Sequence, residues 1–324
     1  MKKIVVLLAL AGISQLSLAA VDLKLGHFAP DGHPCDVAAK QFKANVEKRT
    51  NGEVKINLFG NNALGNPPEV LEQVLLGAVD MSLSGQDQIA KHLPFYDVIS
   101  TPFAFKDYTT ADKIIDGDFK KWAEPELAKK NLVHLSDWEW GFRQLTNSKK
   151  PVQTPADMKG MKIRTPPAFA YQAFVEAAGG NAQTIAFSEL VMAMKQGVVD
   201  GQENPIGTIY NLKLYENQKY MSILNYTYSS MVHLVNKKSW DKLNPAQQKV
   251  LAEESASAAK LARKLLRDDE AKQLKEMEAK GLVVARPDLG PWKAAMGPAW
   301  DKVKTRVGAD NFKKFMDMVE KNSK

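Results

Sequence analysis

The chain has 324 residues, with 44 lysines and arginines against 37 aspartates and glutamates, and a formal charge of +7 that becomes +5 once Lys2 and Lys3 are set aside with the leader described below. Roughly 300 remaining residues suffice for two lobes with cores of their own. The basic residues are scattered among acidic ones and form no basic and aromatic stripe, which argues against a nucleic-acid partner and favours a small anionic ligand. Cys35 is the only cysteine, so no internal disulfide forms, and a chain of this length is stable on its core alone.

Residues 1–20 read as an export signal. Lys2 and Lys3 give the positive start, Ile4 to Ile13 the short apolar core, and Ser17-Leu18-Ala19 the small-x-small pattern, so cleavage is expected near Ala19 or Ala20. The apolar run is shorter than the roughly 20 residues that span a bilayer, and no lipobox cysteine stands near the cut. The expected location is free in a Gram-negative periplasm.

From there the pattern alternates in the manner of an α/β protein. Val21 to His27 reads as a strand, Pro34 to Thr50 as an amphipathic helix, Glu53 to Phe59 as a strand, Pro68 to Leu76 as a helix stopped by Gly77, and Val79 to Ser84 as a strand. Pro68 suits a first helical turn and Gly77 the left-handed position after the last. Later, Gly197-Val198-Val199-Asp200 echoes Gly77-Ala78-Val79-Asp80. The echo has two readings, a second similar lobe or the general habit of glycine to stop helices and valine to start strands. Asn244-Pro245 opens a helical pattern that runs to Gly281, about 54 Å at 1.5 Å per residue and long enough to cross from one lobe to another. Its alanine-rich stretch, Ala252 to Ala262, predicts close packing on a surface, and its apolar positions keep no heptad.

Arg164 closes a strand-like Lys162-Ile163-Arg164 before Thr165-Pro166, at the carboxyl edge where open α/β sheets hold ligands. A planar guanidinium there can grip a carboxylate through two parallel hydrogen bonds; the alternative is a surface arginine paired with Asp157 or Glu203. Arg143 is a second anion contact or a solvated rung of another strand. Asn204 precedes Pro205 and reads equally as a ligand contact or as the cap of a helix starting at Pro205. Phe187 either walls a pocket or staples against Met192 with Ser188 as the cap. Trp138, Trp140 and Phe142 form an aromatic cluster suited to a sugar ring or to a core.

Catalytic readings find little support. His27, His33, Cys35 and Asp36 are metal-ligand types within ten residues, but their spacing matches no standard zinc pattern, and Cys35 as a nucleophile has only His33 near it in sequence. The chain has no Gly-x-Ser-x-Gly elbow, Walker loop or Gly-x-Gly-x-x-Gly fingerprint, so no cofactor and no metal is expected. A pair of carboxylates for glycoside hydrolysis remains the open enzymatic alternative.

Several motifs, taken together, resemble one family over the whole chain after the leader. They are Leu25-Gly26-His27 with His33-Pro34, Asn62-Ala63-Leu64-Gly65, Gly77-Ala78-Val79-Asp80, Phe142-Arg143-Gln144-Leu145-Thr146-Asn147, Asp157 to Arg164, Ala186-Phe187-Ser188-Glu189 and Asp200-Gly201-Gln202-Glu203-Asn204-Pro205. The family is the solute-binding proteins of tripartite ATP-independent periplasmic (TRAP) transporters. The resemblance implies an α/β, two-lobed periplasmic binding protein of type II-like form, with crossing strands and a long interdomain helix. Lobe I is expected over 21–141 plus 230–269 and lobe II over 142–229 plus 270–324.

By the same resemblance Arg164 is the carboxylate clamp, Arg143 the second arginine, Asn204 a contact near the carboxylate and Phe187 a pocket wall. His27, His33, Gln86, Trp138 and Glu139 complete the expected ligand-binding set. Sialic-acid-binding members carry an Asn and a Glu where this chain has Phe28 and Gly85, which disfavours sialic acid. Gln86, Asp87 and Gln88 with Trp138, Glu139 and Trp140 suit a polyhydroxylated acid such as a hexuronate. A C4-dicarboxylate would use Arg143 as its second anchor, and an aromatic acid would use the tryptophans. The expected function is capture of a small organic acid by lobe closure and its delivery, by a monomer, to the small and large TRAP membrane subunits. A periplasmic enzyme acting on the same acid and a binding protein of an ATP-driven importer are the alternatives.

Overall fold

Ten strands carry the architecture of the computed structural model, which describes residues 20–323. The expected signal segment, apart from Ala20, lies outside the described residues. In chain order the strands are β1 (Val21–His27), β2 (Val54–Phe59), β3 (Met81–Gly85), β4 (Leu132–Asn147), β5 (Lys162–Thr165), β6 (Asn181–Thr184), β7 (Gly201–Pro205), β8 (Tyr220–Ser222), β9 (Tyr228–Asn236) and β10 (Val283–Ala285). They join as β2-β1-β3-β9-β4-β7-β5-β6, with β8 bridging β4 and β10. The β1–β2, β1–β3, β5–β6, β5–β7 and β8–β10 pairs are parallel, while β4 and β9 run antiparallel to their neighbours.

The helices start and stop for local reasons. Helix Pro34–Arg49 begins with Pro34 in its first turn, where the missing N–H is no loss, and the His33 Nδ1 accepts the Cys35 N–H at 3.2 Å. Ala38, Ala39, Phe42 and Val46 form its buried face. Helix Pro67–Leu76 is capped by Asn66 with Glu69 reciprocating, and ends at left-handed Gly77.

The echo between the two halves has a physical basis. Gly77 and Gly197 both take positive φ, 79° and 68°. Val79 and Val199 are both buried. The Asp80 carboxylate accepts the Lys24 N–H of β1 at 2.8 Å, and the Asp200 carboxylate accepts the Lys162 N–H of β5 at 2.8 Å. Each aspartate thus ties the end of a helix turn to the first strand of its own lobe.

Two elements span the lobes. β4 pairs with β9 from Leu132 to Phe142, then with β7 from Arg143 to Asn147 and with β8 from Leu145 to Asn147, so one strand belongs to both halves of the sheet. The second is the helix Pro245–Ala279, whose 35 residues extend about 53 Å. It opens with a capping box between Asn244 and Gln247 and buries the small residues Ser255, Ala258, Ala259 and Ala262. Ser255 Oγ lies 2.5 Å from Ser136 Oγ of β4, the close approach that small side chains permit. About three turns beyond Ser255, Arg267 bonds both the Asp112 carboxylate, at 2.7 and 3.0 Å, and that of Glu139 on β4. Near its end Met277 enters the core formed by Ile206, Ile209 and Leu214.

Apolar clusters flank both halves of the sheet. Leu23, Leu25, Phe42, Ile56 and Trp138 form one beside β1 and β9, and Tyr96, Phe105, Phe119 and Tyr228 another. Ile163, Phe174, Tyr226 and Trp292 form a third, beside β5. The C-terminal helix Ala309–Asn322, expected within lobe II, packs Phe315 and Val319 into the cluster of Phe105 and Phe119.

A register shift in β4 between Glu139 and Gly141, where Gly141 has φ +112°, changes which side chains share a face. A bulge of this kind re-aims the residues that follow it. Phe142 therefore leaves the face of Trp138 and Trp140 and joins Phe105 and Tyr228 in the other cluster. A second close constraint lies at Gly201, opposite Asn147 on β4. A methyl group there would fall 2.2 Å from the Thr146 carbonyl oxygen and 3.0 Å from Asn147 Cβ. Gly201→Ala is therefore expected to lower stability by about 1–3 kcal/mol through overpacking. Urea unfolding measures this, and an unchanged midpoint would show that β4 and β7 are not pressed together here.

Candidate functional site

β4, β5 and β7 deliver their charged side chains to a cavity between the lobes, whose empty space of about 420 Å³ is partly open to solvent. One wall comes from Phe28 after β1, Gly85 at the end of β3, Asp87 and Gln88 after it, and Ser230 of β9. The facing wall comes from Arg164, Pro166, Tyr171, Phe187 and Asn204. β4 contributes Trp140 and Arg143. These two are three residues apart, which simple alternation would put on opposite faces. The bulge at Gly141 brings both to the cavity.

The lobes are in contact across this space. The Phe28 ring lies 5.4 Å from that of Phe187 and 4.8 Å from that of Trp140, and the Ser188 N–H donates to Asn66 Oδ1 at 3.3 Å. The aromatic wall excludes water from the charged floor, and low-dielectric surroundings strengthen any ion pair formed there.

Two arginines occupy the floor in different electrostatic states. Arg143 donates through Nη2 to Glu203 Oε1 at 2.9 Å and to the Glu203 carbonyl at 2.8 Å, and through Nε to Glu203 Oε2. Tyr226 donates its hydroxyl to the same carboxylate at 2.5 Å, and the Arg143 guanidinium stacks on Tyr171, 4.5 Å from the ring centre. Burial disfavours the Arg143 charge, but the Glu203 carboxylate outweighs it and holds the pKa above its ordinary value. Arg164 is fully buried. Its Nε donates to the Ile185 carbonyl at 3.0 Å, while its Nη2 has no partner. Burial brings its pKa down to about 10, with Glu203 opposing and Arg143 adding to the fall, so it stays charged at neutral pH. The competing expectation of an Arg164 ion pair with Asp157 or Glu203 is not met. Glu203 goes to Arg143, and Asp157 caps the turn at Thr154.

Asn204 and Phe187 resolve away from their capping alternatives. β7 continues through Pro205 and the next helix starts at Ile206, so Asn204 is a strand residue; its Nδ2 donates to Gln202 Oε1 at 2.6 Å and its Oδ1 accepts from Arg143 Nη2 at 3.3 Å. Ser188 makes no side-chain cap and Met192 is exposed, so Phe187 has no staple partner and turns to Phe28 and Trp140.

Five expected ligand residues lie outside the cavity wall. His33 stacks on the Trp140 ring at 4.3 Å, supporting it from behind, and His27 lies 3.7 Å from Asp36. Burial lowers both imidazoles, to about 3 and about 4, so both are neutral. Gln86 donates to Ser100 Oγ and to the Tyr228 carbonyl and accepts from the Ser230 N–H and Oγ, pinning β9. Trp138 is core, donating to Ser136 Oγ at 3.0 Å. Glu139 is buried in the ion cluster with Arg267, and burial pushes its carboxyl up against the opposing effect of Arg267. Cys35 donates to the Glu139 carbonyl at 3.2 Å, and burial raises its thiol pKa, which leaves it unreactive. Among the described residues no group of three His, Cys, Asp or Glu could hold a metal ion.

Sequence reasoning passed over Tyr171, Ser229 and Ser230 as cavity residues and treated Phe28 and Gly85 only as departures. Tyr171 lies on helix Phe169–Ala177, and no local motif distinguishes it from the core residues beside it. The one local signal for Trp140 and Arg143 sharing a face was the glycine at 141 itself, since a glycine inside a strand-like run often marks a bulge.

Residues 25–306 match the model of the bacterial extracellular solute-binding proteins, family 7. The 2,3-diketo-L-gulonate-binding periplasmic protein YiaO of Escherichia coli strain K12 is 34% identical over 289 residues, 89% of this chain and 88% of that protein. The C4-dicarboxylate-binding periplasmic protein DctP of Rhodobacter capsulatus is 30% identical, over 93% of this chain and 94% of that protein. The crystal structure of the sugar acid binding protein from Advenella mimigardefordensis in complex with galactonate has a TM-score of 0.90 to this fold at 28% identity, covering 94% of this chain and 99% of that one. No helix among the described residues is long and apolar enough to cross a membrane. The two-lobed fold around a charged cleft and the match along residues 25–306 agree: the chain belongs to the family 7 bacterial extracellular solute-binding proteins, which bind small organic acids for TRAP membrane subunits and are not enzymes.

Proposed function

We propose that this protein captures a sugar acid, of the hexuronate or aldonate kind, and presents it to the small and large TRAP membrane subunits. The observation that carries the reading is Arg164: a buried cation whose Nη2 has no partner, facing a cavity closed by both lobes. A ligand carboxylate completes its hydrogen bonds and neutralises it. The polar groups on the opposite wall, Asp87, Gln88 and Ser230, suit hydroxyls, and Trp140, Phe28 and Phe187 give apolar faces for a carbon chain or ring. Relatives that bind 2,3-diketo-L-gulonate and galactonate support this class.

The C4-dicarboxylate alternative rests on the Rhodobacter capsulatus relative and needs a second cation. Arg143, the candidate, is already neutralised by Glu203. Among the described cavity residues only Arg164 has an unpaired guanidinium nitrogen.

Asn204 and Phe187 serve as a polar contact beside the carboxylate and as a pocket wall that meets Phe28. Lobe I comprises 21–141 and 230–269 and lobe II comprises 142–229 and 270–324, the C-terminal helix of lobe II reaching across to pack on the lobe I cluster of Phe105 and Phe119. The protein acts as a monomer in the periplasm after cleavage near Ala19 or Ala20, the length and flanks of the leader supporting export.

The two arginines predict opposite phenotypes. Arg164→Ala should leave the ligand-free melting temperature equal to or above wild type and weaken binding of the sugar acid by about 2–5 kcal/mol, roughly 30-fold to several-thousand-fold. Titration calorimetry with hexuronates and aldonates reads this, and unchanged affinity would remove Arg164 as the clamp. Arg143→Ala should instead strand Glu203 as a buried, unpaired carboxylate and destabilise the ligand-free protein by about 3–5 kcal/mol. Combining it with Glu203→Gln should recover much of that loss in urea unfolding; an Arg143→Ala protein as stable as wild type would mean that this pair contributes nothing to the fold.

A further inference from the structure

The cavity is polarised. Its lobe II floor supplies a donor, the unpaired Arg164 Nη2. Its lobe I wall supplies acceptors: the Asp87 and Gln88 side chains both belong to residues that border the cavity. Gln88 is buried and its Oε1 has no partner. The orientation of that amide is fixed, because Gln88 Nε2 donates to Asp87 Oδ2, so its oxygen must face away from the carboxylate. Asp87 in turn is folded back over Gly85. A methyl group on Gly85 would fall 2.5 Å from Asp87 Oδ1, so only glycine leaves room for the carboxylate in this position. Gly85 has φ −60°, an ordinary value, so its role here is space rather than backbone freedom.

We infer that Asp87, with Gln88 beside it, selects the far end of the ligand: it accepts hydrogen bonds from hydroxyl groups and rejects a second carboxylate. This inference rests on the sugar-acid reading and on Arg164 as the carboxylate clamp. A hydroxyl satisfies an acceptor, whereas a carboxylate placed against Asp87 and Gln88 Oε1 finds no donor and meets a like charge. Charge accounting points the same way. Arg143 and Glu203 cancel, and Arg164 is matched by one ligand carboxylate, so a second one would enter a dry site already holding Asp87. Burial already pushes the Asp87 carboxyl above its usual range, with Arg143 opposing, which marks a place poor at holding further negative charge.

The test compares acids that differ only at the far carbon. Galactonate with galactarate, gluconate with glucarate, and threonate with tartrate each pair a terminal hydroxymethyl with a carboxylate, and each is titrated by calorimetry into the mature full-length chain. The monocarboxylate of whichever pair binds should be favoured by at least about 100-fold. Asp87→Asn should weaken it about 10-fold or more and bring the preference below about 10-fold. Gly85→Ala, which displaces the carboxylate without removing it, should move the ratio in the same direction with the ligand-free melting temperature retained. Equal binding of both members of a pair by wild type, or a ratio unmoved in both variants, overturns the role of Asp87 while a loss of both ligands in Arg164→Ala leaves the clamp standing. Unchanged galactonate binding in Arg164→Ala, or no binding of any pair by wild type, overturns the sugar-acid reading itself and this inference with it.

Discussion

Two guanidinium groups are buried at the floor of one cleft, and a single carboxylate, Glu203, is close enough to neutralise one of them. Glu203 is fully buried on β7, and its oxygens take Arg143 and Tyr226. Arg164, on the neighbouring strand β5, keeps one bond to a backbone carbonyl and an open nitrogen. A cation in that state is tolerated by a fold only where something else supports the cost. Here the support is the surrounding frame: β7 lies between β4 and β5, so Arg143, Glu203 and Arg164 are held on three adjacent strands and none can swing away to water.

That frame depends on β4. As the strand common to both halves of the sheet, it carries Trp140 toward the lobe I side of the cavity and Arg143 toward the floor. Plain alternation forbids this pairing, and the bulge at Gly141 permits it. Behind the wall, His33 supports Trp140 and the Glu139–Arg267–Asp112 cluster fixes the long helix to β4. The residues of that second layer are chemically conspicuous in sequence because they are histidines, a glutamate and a cysteine, yet they work by holding the wall still.

This explains what was legible in the sequence. The strands and helices of the first lobe, the Asn244 cap and the long helix follow from local chemistry that one chain segment contains: a proline in a first turn, a glycine after a last, a small-residue stripe. Arg164, Arg143, Asn204 and Phe187 reached the cavity through their motifs. Trp138 and Glu139 did not, because the face of a strand is set by its register with a distant partner, and the β4–β9 shift at Gly141 is invisible to a periodic pattern. Gln86 lost its place to Asp87 and Gln88 for a similar reason. One turn of helix after β3 points Gln86 at β9 and its two neighbours at the cavity, and only tertiary contacts decide which.

On the proposed reading, in which the lobes close over the ligand, the same uncompensated cation links binding to closure. In a closed cleft without ligand, Arg164 is dry and half-paired, so closure alone carries an electrostatic penalty; in an open cleft, water serves its free nitrogen. A ligand carboxylate removes the penalty only in the closed state, which makes the ligand's affinity for that state greater by the worth of the pair. Moving a two-state equilibrium from 1:99 to 99:1 takes about 5.5 kcal/mol of differential binding, and a buried pair whose disruption costs about 3–5 kcal/mol supplies most of it. The remainder falls to contacts that likewise exist only when the lobes meet, such as Phe28 against Phe187 and Asn66 against Ser188. A neutral analogue of the same shape would keep those smaller contacts and lose the large one, so the charge of the acid, more than its bulk, governs whether the lobes stay shut.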